Sequence, residues 1–197
     1  MKKIKIDILS AIWFIFIIYS RSALIIPIIS AIFIHELGHI IASIILKVEI
    51  KCITISILGA RLEMNSEISY LKEFIISLSG PTFGFLAFLL TSQADIHPQT
   101  ILNFSIISLA LSIFNLLPIE TLDGGRIVKC LLCSLFSLDL AEKIMQITTF
   151  FTLFSFWLIS VYIMLKFSGG LSAFIFCSFF FAKCFIFGTK KRDLASF

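Results

Sequence analysis

His35, Glu36 and His39, in the stretch FIHELGHI (residues 33–40), put two imidazoles and a carboxylate inside a run of isoleucine and phenylalanine. On a helix, residues i and i+4 lie one above the other on one face, so the two histidine rings can converge on a single ion. Glu36, adjacent to the first histidine, flanks that ion and is placed to hold and deprotonate a water there. Zinc suits imidazole and carboxylate donors in a tetrahedral site. The plainer reading is a histidine pair that only hydrogen-bonds between helices. Against it, an ionisable side chain at the bilayer centre costs roughly 3 kcal/mol on insertion scales, so three together in an apolar segment need a compensating purpose.

A catalytic zinc takes three protein ligands and keeps a fourth position open. The third cannot be the last histidine of HExxHxxGxxH, because Ala42 and Ile45 occupy the required positions. Glu63, Glu67 and Glu73 are possible by sequence distance, in a segment that reads as solvated surface, whereas His97 falls in a loop expected on the opposite side. Asp123 lies in NLLPIETLDGGR (residues 115–126), where Pro118 ends a helix and Gly124-Gly125 permit conformations a regular helix does not supply. A broken helix at membrane depth is tolerated where it lines a buried or watery cavity. The alternative role for Asp123 is an N-cap of the helix that follows. The residues alone leave that choice open.

These side chains must be carried by membrane-embedded helices. Of 197 residues 59% are hydrophobic, 23 are phenylalanine and only 14% are charged, too apolar a surface for a soluble domain of this length. The reading is an all-α polytopic membrane protein, a single domain over 1–197 with six spans at about 4–20, 23–48, 73–92, 101–117 (broken at 118–125), 142–165 and 170–188. Between the second and third spans, ITISILGARLEMN (53–65) alternates on both sides of Leu58-Gly59-Ala60 and predicts a small β-hairpin. Lys2, Lys3 and Lys5 at the start and Lys190, Lys191 and Arg192 at the end predict both termini to be cytoplasmic. The net charge of +4 is thus a matter of orientation in the bilayer, not of nucleic-acid binding. The N-terminus does not read as a cleaved signal peptide. Five cysteines, including the pair Cys130 and Cys133, read as small packing residues with no disulfide.

HELGH in a transmembrane helix, followed about 80 residues later by N-x-x-P-x-x-x-L-D-G-G, resembles the site-2 protease family of intramembrane zinc metalloproteases, peptidase M50. The hairpin, SLSGPTFGF (77–85) and six spans without an inserted PDZ domain are similar to its stage IV sporulation protein FB branch. The resemblance implies His35, His39 and Asp123 as zinc ligands, Glu36 as catalytic base, and Asn115 as a hydrogen-bond donor to substrate or oxyanion. It further implies a bacterial cell membrane and a membrane-tethered protein substrate. For the sporulation branch these become the mother-cell membrane around the forespore and a pro-sigma factor, with inhibitory membrane proteins as partners. Relatives in that branch usually carry a cytoplasmic CBS domain after the last span, and none is expected here. A protease needs its substrate extended, so the hairpin is expected to offer Thr54, Ile55, Ser56 and Ile57 as a strand edge for it. The alternative function is a metal-binding membrane protein without proteolysis, either a divalent-cation transporter or an inactive scaffold. Transporters commonly pair broken helices in matching halves, and only one break is legible here.

Overall fold

The computed structural model describes residues 3–6, 23–56, 59–64, 68–93, 98–166, 174–175, 177–179 and 181–182. In chain order the elements are β1 (Lys3–Ile6), α1 (Ile25–Ile45), β2 (Ile50–Ser56), β3 (Gly59–Met64), α2 (Tyr70–Ser92), α3 (Gln99–Asn115), α4 (Asp123–Leu135) and α5 (Leu138–Lys166). Helix α2 is the centre of the bundle, packed against α1, α3 and α4, and α4 leans on α5.

The sequence dictates which side chains face inward. Buried positions are mostly small or weakly polar, among them Ala31, Ala42, Ser43, Ser77, Ala87, Ser105, Ser108 and Ser112, whereas Leu90 and Leu165 are each 77% exposed and Phe33 63%. This inverts the soluble pattern. Apolar chains gain nothing by leaving lipid for a protein interior, so the contacts between helices go to small residues that let backbones approach. Helices α1, α2 and α5 have 21, 23 and 29 residues and are apolar enough to cross a membrane, since a span needs about 20 residues at 1.5 Å each. The chain is an integral membrane protein.

The expected fold class needs correction. Three described helices, not six, meet the length and hydropathy of a span, and α3 is a shorter apolar helix of 17 residues. The residues expected to open the first span, Ile4-Lys5-Ile6, belong to a strand, Lys3–Ile6; 7–20 lie outside the described residues, as does most of 170–188. Nor is the β structure an isolated hairpin. A three-stranded sheet has the order β1-β2-β3, with β1 parallel and β3 antiparallel to β2. The physical cause is legible afterwards: Lys3-Ile4-Lys5-Ile6 alternates with the period of a strand, and only the residues after it are continuously apolar. Gly59 and Ala60, expected in the turn, lie within β3, where they pair with Ser56 and Ile55.

The expected break in the fourth span separates two helices. Beyond Asn115 the chain tightens: Leu117 N–H donates to the Phe114 carbonyl at 3.2 Å and, past Pro118, Ile119 N–H donates to the Leu117 carbonyl at 2.8 Å. Ile119 and Leu122 are buried with Leu153 of α5 in a hydrophobic cluster, and the Glu120 N–H donates to Thr149 Oγ1 of the same helix at 3.1 Å. The connection is therefore pinned at both ends of its turn.

Candidate metal centre

Helix α1 carries His35 and His39 on its buried face, both almost fully enclosed. His39 is oriented by a hydrogen bond from its Nδ1–H to the Ile76 carbonyl of α2 at 2.7 Å, which leaves Nε2 as the lone-pair nitrogen. That nitrogen lies 3.3 Å from His35 Nε2. Helix α4 supplies the third group. Asp123 Oδ2 stands 3.1 Å from His35 Nε2 and 3.2 Å from His39 Nε2. His35 Nδ1 is buried and has no hydrogen-bond partner among the described residues.

Two glycine positions allow this convergence. A Cβ on Gly80 of α2 would run into His39 Nε2 and stand 2.9 Å from His35 Nε2, so only glycine lets α2 cross beside both rings. A Cβ on Gly124 would strike the Leu116 carbonyl, so the first turn of α4 packs directly on the end of α3 and fixes Asp123. Asp123 is the first helical residue of α4 and makes no capping hydrogen bond; its carboxylate turns to the histidines instead. The N-cap alternative is therefore not the one adopted.

The donor set fits a small cation. Three donors of a tetrahedral site at about 2.0–2.1 Å from the ion lie about 3.3 Å apart, and the three atoms here are separated by 3.1–3.3 Å. Lone pairs packed so closely in a buried site repel unless a positive charge is shared among them. Among the described residues these three form the group able to hold a metal ion. Glu36, half-buried beside His35, is close enough for its charge to act on His39.

The remaining expected residues are distributed as follows. Asn115 ends α3, is buried, and donates from Nδ2 to the Leu111 carbonyl at 3.0 Å. The expectation that Thr54 to Ile57 present a strand edge is corrected. Thr54 pairs with Lys5 on one side and Arg61 on the other, and Ile55 pairs with Ile6 and Ala60. Ser56 pairs with Gly59. The middle strand of three has both ladders occupied and cannot accept another; Ile57 lies outside the described residues. Glu73 is in α2 beside Cys130, not with the histidines; Glu63 lies on β3, while Glu67 and His97 fall outside the described residues. Sequence reading missed the Ile76 carbonyl. Its signal was the spacing 76–80 on one helix, which puts it on the face of Gly80.

The fold is similar to that of the Site-2 Protease from Methanocaldococcus jannaschii, with a TM-score of 0.66 over 92% of this chain and 88% of that one, at 23% identity. Fold and site together define a membrane protein of the site-2 protease architecture. Residues 90–159 match the model of peptidase family M50. It is 36% identical over 104 residues to a candidate zinc metalloprotease of Synechocystis sp., and 31% identical over 101 residues to stage IV sporulation protein FB of Bacillus subtilis. Each alignment takes in 48% of this chain, and they span 27% and 35% of those relatives' lengths.

Proposed function

We propose that this chain is an intramembrane zinc metalloprotease that hydrolyses a peptide bond in a membrane-tethered protein. The observation that carries the reading is the convergence of His35 Nε2, His39 Nε2 and Asp123 Oδ2 within 3.3 Å, with Glu36 next to the first ligand. Both named relatives support zinc and proteolysis or a sporulation role, by their descriptions. When bound by His35, His39 and Asp123, zinc supplies Lewis acidity, drawing the pKa of water toward about 7 and polarising a carbonyl. Glu36 takes the proton from the attacking water and delivers it to the departing amine. Asn115 has a second amide hydrogen beyond the one engaged by Leu111, and that hydrogen is available to substrate or to the developing oxyanion.

The scissile carbonyl must be free of helical hydrogen bonding, so the substrate enters extended. With β2 enclosed, strand addition is left to the outer strands, and β3, Gly59–Met64, is the one that contacts the histidine-bearing α1. The resemblance to the sporulation branch makes a pro-sigma factor the substrate we propose, with inhibitory membrane proteins controlling access and both termini of the protease cytoplasmic. The test is co-expression with a membrane-tethered precursor. Wild type cleaves it, whereas Glu36→Gln leaves it intact and retained on the enzyme. Equal cleavage by both forms contradicts the assignment of the base.

A further inference from the structure

Next to the metal site lies a second polar feature that the hydrolytic reading does not use. A cavity of about 180 Å³ opens between the first turns of α2, the length of α4 and the start of α5, lined among others by Tyr70, Glu73, Arg126, Lys129, Cys130 and Leu138. Its charged groups are not equivalent. Lys129 Nζ is paired with Glu142 of α5 at 3.1 Å. Glu73 lies against the Cys130 thiol, and burial followed by that carboxylate pushes the thiol up to about 12, so Cys130 stays neutral. Glu120 is exposed, and its charge acts on Lys129. Arg126 is half-buried, and its guanidinium makes no hydrogen bond or ion pair with any described residue. A guanidinium carries five donors in a fixed fork suited to a carboxylate, and a half-buried one gains most from finding it.

The position of the cavity relative to the metal site follows from two helices independently. On α4, Asp123, Arg126 and Cys130 share a face at i, i+3 and i+7; on α2, Gly80, Ile76 and Glu73 do the same in the other direction. One to two helical turns, about 5–10 Å, therefore separate the ligand cluster from the cavity. An extended peptide advances about 3.3 Å per residue. A substrate side chain two or three positions from the scissile bond reaches that far.

We propose that this cavity is a substrate side-chain subsite for an acidic residue two or three positions from the cleaved bond, with Arg126 as the specificity-determining group. The inference rests on the protease reading above. The neutral Cys130 thiol and the engaged Lys129 leave the Arg126 fork as the cavity's available cation.

The test uses the full-length, zinc-loaded chain in proteoliposomes of neutral lipid, with membrane-tethered reporter segments randomised around a common extended region and cleavage sites read by mass spectrometry. Wild type is expected to favour Asp or Glu over Gln at one such position by roughly tenfold, the worth of one charge-assisted hydrogen bond. Arg126→Glu is expected to invert the preference at that position to Lys or Arg while keeping its zinc. Arg126→Lys is expected to keep the acidic preference with a raised KM and little change in kcat, and serves if the glutamate variant does not fold. Cleavage by wild type with no acidic preference, or the same preference in Arg126→Glu, overturns the subsite. An effect of Arg126→Glu that follows anionic lipid content and not the side chain also overturns it, assigning the guanidinium to lipid phosphates. No cleavage of any reporter by zinc-loaded wild type defeats the protease reading itself.

Discussion

Asp123 joins the His35–His39 pair because the chain must stop being helical at Asn115 and start again eight residues later, with two glycines packed under its carbonyls. Removing its carboxylate leaves two imidazoles only. Asp123→Ala is expected to lose most of its zinc on metal analysis, while Glu36→Gln keeps it; full zinc in Asp123→Ala would remove that residue from the site. Cys130 gives a second expectation at this scale. With its thiol pushed up to about 12 by burial and by Glu73, the thiolate is scarce from pH 7 to 9. Alkylation at pH 8, followed by peptide mapping, should run about three orders of magnitude slower than for a free thiol and should accelerate as pH rises. The histidines and Glu36 were legible in the sequence because i, i+4 spacing is a property of the helix itself. Asp123 was legible only through the likeness of its whole motif to a family, since an aspartate before two glycines caps helices equally well. Arg126 was not legible at all: its cavity exists only after α2 and α5 close over α4.

The elements follow from local chemistry except at the start of the chain and in the sheet. Lys3-Ile4-Lys5-Ile6 announces a strand by alternation, yet the apolar run behind it drew Ile4-Lys5-Ile6 into a span. The hairpin arms were visible as alternation, but the third strand that encloses β2 was not, because pairing across some fifty residues leaves no local mark. Placing strand addition on β3, the outer strand that contacts α1, has a consequence. A proline introduced on the outer face of β3 should impair cleavage without loss of zinc, and zinc loss in that variant would make the sheet purely structural. The close crossing of α1 and α2 is tested by Gly80→Ala. Its new methyl meets both histidine rings, so zinc occupancy and turnover are expected to fall together. The end of α1 carries a different strain. Lys47 is left-handed, with φ 52°, while Val48 N–H reaches back to the Ser43 carbonyl at 2.9 Å. Glycine adopts that conformation without cost, so Lys47→Gly should stabilise the protein by about 1 kcal/mol and raise its unfolding midpoint.

For the whole molecule, large side chains face outward and small ones inward, which is how a helix bundle in lipid brings polar groups together at depth. The three clustered side chains come from α1 and α4, which α2 bridges among the described residues, so metal binding should tie the bundle together. Chelation is accordingly expected to lower the unfolding midpoint of wild type, by the free energy with which the folded state holds its ion. A midpoint unchanged by chelator would mean that no structural coupling exists. The most direct measurement is zinc K-edge X-ray absorption on the purified full-length chain. A first shell of nitrogen and oxygen at about 2.0–2.1 Å with two imidazoles is expected. Sulfur scattering at about 2.3 Å would instead place the metal on Cys130 and Cys133 and contradict it.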